Sequence, residues 1–150
     1  MSIIHFYRTN STYGCFSNFS RHGFLLDGIY WPTAEHYFQS EKFLETNLKV
    51  EIANLASPLE AAIYGRNKEK PLRPDWEYIK IEIMRCAIYN KFNQNPDINE
   101  ILLSTENYTL VEHTKNDSYW GDGGNGTGEN MLGKLLMELR DNTINNEKCS

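Results

Sequence analysis

Apolar and polar positions along the chain change rhythm often, and each rhythm predicts a short element. Ile3 to Arg8 is brief, β-branched and aromatic, which predicts a strand, whereas residues 9–23 show no period and predict a loop. Asp27-Gly28 lies between Phe24-Leu25-Leu26 and Ile29-Tyr30-Trp31, and both turn residues tolerate the positive φ of a type I′ turn, so this stretch predicts a tight hairpin. After Pro32 a helix is predicted over about Ala34 to Leu44, with the Thr33 hydroxyl placed to cap its first turn. Leu48 to Ala56 predicts a second helix. Ser57-Pro58-Leu59-Glu60 has capping-box spacing with proline at the first helical position, and Gly65 stops this third helix. The longest helical pattern is Asp75 to Phe92, where Trp76, Ile79, Ile83 and Ala87 recur on one face as the spine of a core. Pro96 ends the next connection, Asp97 caps Ile98 to Leu103, and Tyr108 to His113 alternates as a last strand. Residues 116–130, NDSYWGDGGNGTGEN, contain five glycines and no aliphatic side chain. They lead into a helix over Met131 to Arg140 with Leu132, Leu135, Leu136 and Leu139 on its apolar face, and a polar, frayed tail is expected over 141–150. These elements add up to an α+β fold: one mainly helical domain over residues 1–150 with a few short strands, without internal repeat or linker.

Composition narrows the class. Apolar residues make up 40% and charged residues 23% of 150 positions, which excludes disordered, collagen-like and coiled-coil chains. Nine Tyr, seven Phe and three Trp exceed what a small core needs, so some are candidates for stacking on a flat ligand. The net charge of −5 opposes non-specific binding of nucleic acid, and any such contact must be local. Cys15, Cys86 and Cys149 are odd in number and widely spaced, which suggests neither a disulfide framework nor a zinc cage and fits a reducing cytoplasm. The N-terminus has no basic segment followed by an apolar one, and no apolar run approaches a membrane span.

Three regions can carry chemistry. Glu35 falls in the first turn of its helix, where unpaired N–H groups and the macrodipole favour an ionised carboxylate. Acidic residues are common there for structural reasons alone. At ~100° per residue, however, Gln39 and Lys42 share a narrow polar stripe with Glu35 on an otherwise apolar helix, so the stripe is either an internally paired row or the wall of a cavity. Residues 121–126, GDGGNG, match a dinucleotide fingerprint only formally, because no strand of a βαβ unit precedes them, and no Walker lysine follows. The loop is then either a flexible surface segment or a backbone able to approach a ligand, with an anion site at the helix start near Asn130. Residues 65–73, GRNKEKPLR, carry four basic side chains, which belong to a solvated loop or neutralise phosphate. The four histidines show no metal-ligand spacing, no GxSxG elbow occurs, and Cys15 has no recognisable base partner.

Four ordered blocks, Tyr13-Gly14-Cys15-Phe16-Ser17-Asn18-Phe19, Trp31-Pro32-Thr33-Ala34-Glu35-His36-Tyr37-Phe38-Gln39 with Lys42-Phe43, Gly65-Arg66 with Arg73-Pro74-Asp75-Trp76-Glu77, and Asp117-Ser118-Tyr119-Trp120-Gly121-Asp122-Gly123 with Gly128, Asn130, Leu132, Gly133 and Arg140, together resemble the YbiA-like, or NADAR, family. Cys15 departs from the polar or acidic residue expected in the first block. The resemblance implies a YbiA-like fold and an N-glycosidase, a hydrolase that cleaves a ribosyl carbon–nitrogen bond without metal or redox cofactor. It implies two substrate classes: phosphoribosylamino-pyrimidine intermediates of riboflavin biosynthesis, and ADP-ribose on guanine, including ADP-ribosylated DNA. Cleavage passes through an oxocarbenium-like state that the Glu35 carboxylate can stabilise. Asp117 is a second catalytic candidate, and Lys42 pairs Glu35, contacts phosphate or attacks C1′ as an amine. The resemblance places Asn18, Trp31, Trp120 and Asn130 around ribose and base, Arg8, Arg66 and the glycine loop near phosphates, and Gly14, Phe16 and Asp122 among the contacts. A non-catalytic module binding ADP-ribose or another NAD-derived nucleotide would use the same aromatics without needing an ionised Glu35.

Overall fold

The structure is a computed structural model that describes residues 2–149. Six helices and four short strands are described, the mainly helical α+β composition expected from the sequence. The chain forms two compact units: Asn18 to Asn95 is one, and the segments through Ser17 and from Pro96 onward make the other.

The Asn18–Asn95 unit opens with the hairpin of β1a-type spacing predicted above: strand β2 (Phe24–Leu26) pairs antiparallel with β3 (Ile29–Trp31) around Asp27 (φ 55°) and Gly28 (φ 78°). Both turn residues lie in the left-handed region, as a type I′ turn requires. Helix α1 (Ala34–Ser40) follows and packs on α2 (Thr46–Ala53), α3 (Pro58–Gly65) and α4 (Trp76–Asn93). Thr33 caps α1 by accepting the His36 backbone N–H at 3.1 Å, and Ser57 caps α3 by accepting that of Glu60 at 3.1 Å. Tyr37 of α1 meets Phe24 and Trp31 edge-on at 5.8 and 5.4 Å, while Phe38 meets Trp76 at 5.0 Å. A second cluster, Phe43, Leu48, Ile52 and Ala61, joins the end of α1 to α2 and α3. The α1 helix stops at Ser40, four residues short of the predicted Leu44, so Lys42 lies in the turn beyond it and not on its polar stripe.

In the other unit, β1 (Ile3–Phe6) runs parallel to β4 (Thr109–Glu112), with Ile3 opposite Thr109 and Phe6 opposite Glu112. Ile4, Phe6 and Leu110 point to the buried side, and α6 (Met131–Cys149) packs on β4 and on α5 (Pro96–Ser104). Pro96 opens α5 instead of ending the connection before it; at a first helical position its missing N–H costs nothing, and Asp97 lies inside the first turn. Helix α6 runs on to Cys149, so the expected frayed tail does not begin at Asp141. Arg140 is buried and holds the turn before β4, donating from Nη1 to the Tyr108 carbonyl at 2.7 Å and to Thr105 Oγ1 at 3.1 Å. Leu132, Leu135 and Leu136 fill the helix's inner face as its spacing predicts.

Candidate active site

Glu35 sits in the first turn of α1, and the position of that turn is fixed twice. Its backbone N–H donates to the Asn18 carbonyl at 3.1 Å, and the neighbouring His36 is buried between two partners. The His36 Nε2–H donates to the Leu55 carbonyl at 3.1 Å, and Nδ1 receives the Thr33 hydroxyl at 2.8 Å. Burial holds the imidazole below its ordinary 6.5, against the opposing pull of the Leu55 carbonyl, so His36 is neutral and fixes the helix start by hydrogen bonds alone.

From there the polar row is built by spacing. Gln39, one turn on from Glu35, donates from Nε2 to Glu35 Oε1 at 2.8 Å, which fixes the carboxylate's orientation. Gln39 is only 5% exposed, and its Oε1 is buried with no hydrogen-bond partner. That oxygen lies against Gly65, where a β-carbon would meet it at 1.9 Å; glycine is therefore required by close approach, not by an unusual φ. Lys42 reaches the same place from its turn, donating from Nζ to the Gly65 carbonyl at 3.3 Å and lying 5.9 Å from the centre of the Trp76 ring. Burial pushes the Lys42 ammonium below its ordinary pKa; Glu35 opposes this and Arg66 adds to it. Asn18 contributes a second buried oxygen without a partner, Oδ1, while its Nδ2 faces the Met84 sulfur at 3.4 Å. Glu35, Asn18, Lys42 and Arg66 thus belong to one unit, whose site presents a fixed carboxylate, a depressed amine and two unmatched acceptors. Buried acceptors left unmatched cost about 1–3 kcal/mol each, so they mark places where a ligand's hydroxyl or N–H is worth more than elsewhere.

Trp31, also in this unit, is not available to a ligand. It is 1% exposed, its ring packs on Tyr37, and its Nε1–H donates to the Leu26 carbonyl at 3.3 Å, so it is a core residue.

The remaining predicted residues lie in the other unit and are largely occupied by structure. Arg8 is exposed, and its carbonyl accepts from Ser11 N–H and Oγ–H. Gly14 is buried against Thr9, whose carbonyl oxygen a β-carbon would meet at 2.1 Å. Phe16 is 1% exposed, stacked on Tyr13 and edge-on to Phe6, so both Gly14 and Phe16 serve packing, not ligand contact. Asp117 Oδ1 accepts the N–H groups of Tyr119 and Trp120 at 2.8 and 2.7 Å, which makes it the organiser of its own turn. Trp120 is half-buried and edge-on to Tyr119. Asp122 is buried; Oδ1 accepts the N–H groups of Thr114 and Gly124, and Oδ2 accepts from His113 Nδ1 at 2.8 Å. Burial alone would raise its pKa, but the bonds from His113, Gly124 and Thr114 outweigh it and hold the carboxyl below the ordinary value.

Asn130 is spent in the same way. It takes a left-handed φ of 52°, donates from Nδ2 to the Leu110 carbonyl and accepts the Glu112 N–H on Oδ1, which ties the loop to the β4 backbone. The first N–H groups of α6, those of Met131 and Leu132, donate to the Tyr119 and Trp120 carbonyls at 3.0 Å. The expected anion site at this helix start is therefore occupied by the chain itself. The glycines serve the loop's own packing: Gly123 and Gly124 have φ of 73° and 88°, and Gly128 lies where a β-carbon would meet the Asp122 carbonyl carbon at 2.6 Å.

Sequence spacing does not reveal the close approach of Gln39 to Gly65, nor that Lys68 and Lys70 share a groove with Lys42. The only hint was the basic character of residues 65–73.

The NADAR domain profile matches residues 5–143. The N-glycosidase YbiA of Shigella flexneri serotype 5b (strain 8401) is 53% identical over 140 residues, which cover 93% of this chain and 88% of that protein. The riboflavin biosynthesis protein PYRR, chloroplastic, of Zea mays is 41% identical over 158 residues, covering 95% of this chain and 25% of that protein. Among solved structures, the NMR structure of the E. coli protein YbiA superposes with a TM-score of 0.90 at 49% identity, covering 97% of this chain and 87% of that one. With a family profile matched across nearly its whole length and relatives above half identity over most of theirs, the chain belongs to the NADAR family.

Proposed function

We propose that this NADAR-family N-glycosidase hydrolyses a ribosyl C–N bond, with Glu35 as the carboxylate that stabilises the cationic sugar. The observation that carries the reading is the Glu35–Gln39 pair beside Lys42. A first-turn carboxylate is held in one orientation by a neutral amide, so its negative charge is available to the oxocarbenium-like state that forms as the bond to nitrogen breaks. The unmatched oxygens of Asn18 and Gln39 are acceptors suited to sugar hydroxyls. An ionised carboxylate does not protonate the departing base, so that proton comes from another group or is carried by the base itself.

Two substrates fit this chemistry. The name of the maize relative places that protein in riboflavin biosynthesis, which favours a phosphoribosylamino-pyrimidine. ADP-ribosyl-guanine, free or in DNA, is the second. Mass-spectrometric turnover of both by wild type and Glu35→Gln tests the reading: ribose 5-phosphate released from the first, or ADP-ribose from the second, and lost in the variant, is the expected result. Full turnover by Glu35→Gln would remove the assignment. The names of close relatives as N-glycosidases favour this reading over a non-catalytic nucleotide-binding module.

One observation supports a second route for the same reaction. The Lys42 amine, depressed by burial and by Arg66, is suited to attack C1′ itself, breaking the bond to the base and leaving an imine that water then hydrolyses. Borohydride added during turnover traps that imine as a covalent adduct on Lys42, whereas direct hydrolysis leaves the protein mass unchanged.

A further inference from the structure

Beyond Gly65, the unit that carries Glu35 opens into a groove of about 550 Å³ lined by Lys42, Arg66, Lys68 and Lys70 above the Trp76 ring. No carboxylate lines it. That is unusual for a chain with 15 basic and 20 acidic residues, and the contrast with Arg73 in the same segment is informative. Arg73 is neutralised: Nε donates to Asp75 Oδ1 at 2.7 Å, and Nη1 lies 3.7 Å from Glu41 Oε2. Its backbone N–H donates to the Lys42 carbonyl at 2.8 Å, so it anchors the segment. The groove cations instead rest on aromatic faces, Lys42 near Trp76 and Lys70 at 5.6 Å from the centre of the Tyr64 ring. Like charges gathered around one hollow repel each other, and a bound anion relieves that repulsion.

We propose that this groove seats the phosphate of the ribosyl substrate, with the phosphorylated end of the sugar over Lys68 and Lys70 and its C1′ at Glu35. The assignment rests on the glycosidase reading above. Three features support it. The groove begins where the catalytic row ends, because Lys42 Nζ and Gln39 Oε1 both touch Gly65. Arg66 offers a planar fork matched to two phosphate oxygens, and the lysines add point charges. The net charge of −5 opposes a long polyanion but not a compact phosphate held locally. Occupancy also has a chemical consequence, since a dianion beside Lys42 favours its protonated form and opposes the effect of Arg66.

The test is an amide NMR titration of the intact protein with inorganic phosphate, ribose 5-phosphate and ribose, repeated on Lys68→Glu/Lys70→Glu and on Lys68→Gln/Lys70→Gln. Phosphate and ribose 5-phosphate should shift the amides of Gly65, Arg66 and Asn67, and ribose should bind much more weakly. Charge reversal should weaken both anions by about tenfold or more, with neutralisation in between, and should raise KM for a phosphorylated substrate much more than it lowers kcat. Absent shifts, or an affinity and KM indifferent to the lysines, overturn the proposal. A single-stranded oligodeoxynucleotide that binds more tightly than ribose 5-phosphate and is lost in the charge-reversed variant also overturns it, in favour of a strand. If phosphate binds in the groove while no ribosyl substrate turns over, the glycosidase reading fails and the anion seat stands. If turnover is normal and KM ignores the lysines, the seat fails alone.

Discussion

Two regions of this protein look equally rich in chemistry, the corner of α1, α3 and the basic segment, and the glycine loop of residues 116–130, yet their polar groups are used in opposite ways. In the loop, Asp117, Asp122 and Asn130 all point their oxygens at backbone N–H groups of their own surroundings, and the first N–H groups of α6 are taken up by the Tyr119 and Trp120 carbonyls. In the corner, Asn18 Oδ1 and Gln39 Oε1 have no partner, and the groove cations face no lining carboxylate. Unmet hydrogen-bonding and charge capacity, not polar content, separates a place that binds from a place that holds itself together.

The sharpest way to break this comparison is to exchange one carboxylate in each region. Glu35→Gln should lower kcat/KM by about 10²–10⁴-fold while leaving the urea midpoint almost unchanged, because the amide still pairs with Gln39. Asp122→Ala should do the reverse to stability, lowering it by about 1.5–3 kcal/mol in urea denaturation as the N–H groups of Thr114 and Gly124 and the His113 ring lose a charged acceptor. A catalytically dead but fully stable Asp122→Ala would invert the assignment of the two regions. Gly65→Ala is a finer probe: the added methyl displaces Gln39 from the glycine and should cost about 1–3 kcal/mol and reduce turnover by freeing the Glu35 carboxylate to rotate.

The smallest effect separates the regions by pH. His36 is held below its ordinary 6.5, so the unfolded chain takes up a proton at higher pH than the folded one. Its contribution is complete above about 6.5 and is lost as the pH falls through the folded value. The Asp122 carboxyl is held below its ordinary 3.8, so its contribution is complete above that value and disappears only on further acidification. Hydrogen exchange across a pH series should therefore show the start of α1 losing protection before the glycine loop. Simultaneous loss would mean that one of these two groups is not the sensor.

Local signals in the sequence were reliable wherever a side chain answers its own backbone. The Asp27-Gly28 hairpin and the Thr33 and Ser57 caps are settled within a few residues, and so is the Glu35–Gln39 pair one helical turn apart. Lys42 was misplaced because α1 ends at Ser40, where the chain turns so that buried Glu41 can meet Lys49 and Arg73, a choice made by distant residues. Trp31 read as a stacking residue because an aromatic beside a catalytic candidate looks the same in sequence whether it faces a ligand or Tyr37. The use of the Asn130 amide was illegible for the same reason, since its partners Leu110 and Glu112 lie about twenty residues away on another element.

The parallel register of β1 and β4 sets an order of events for the nascent chain. Ile3 pairs with Thr109, so the first strand to leave the ribosome waits for about a hundred residues before its partner exists. The whole Asn18–Asn95 unit is synthesised within that interval and contains its own hairpin, caps and clusters, so it can collapse first and shorten the effective loop that the late pairing must close. Until then β1 presents an unpaired edge, and its exposed positions include His5, a polar residue that interrupts the apolar run Ile3-Ile4 before Phe6 and makes premature edge-to-edge association less favourable.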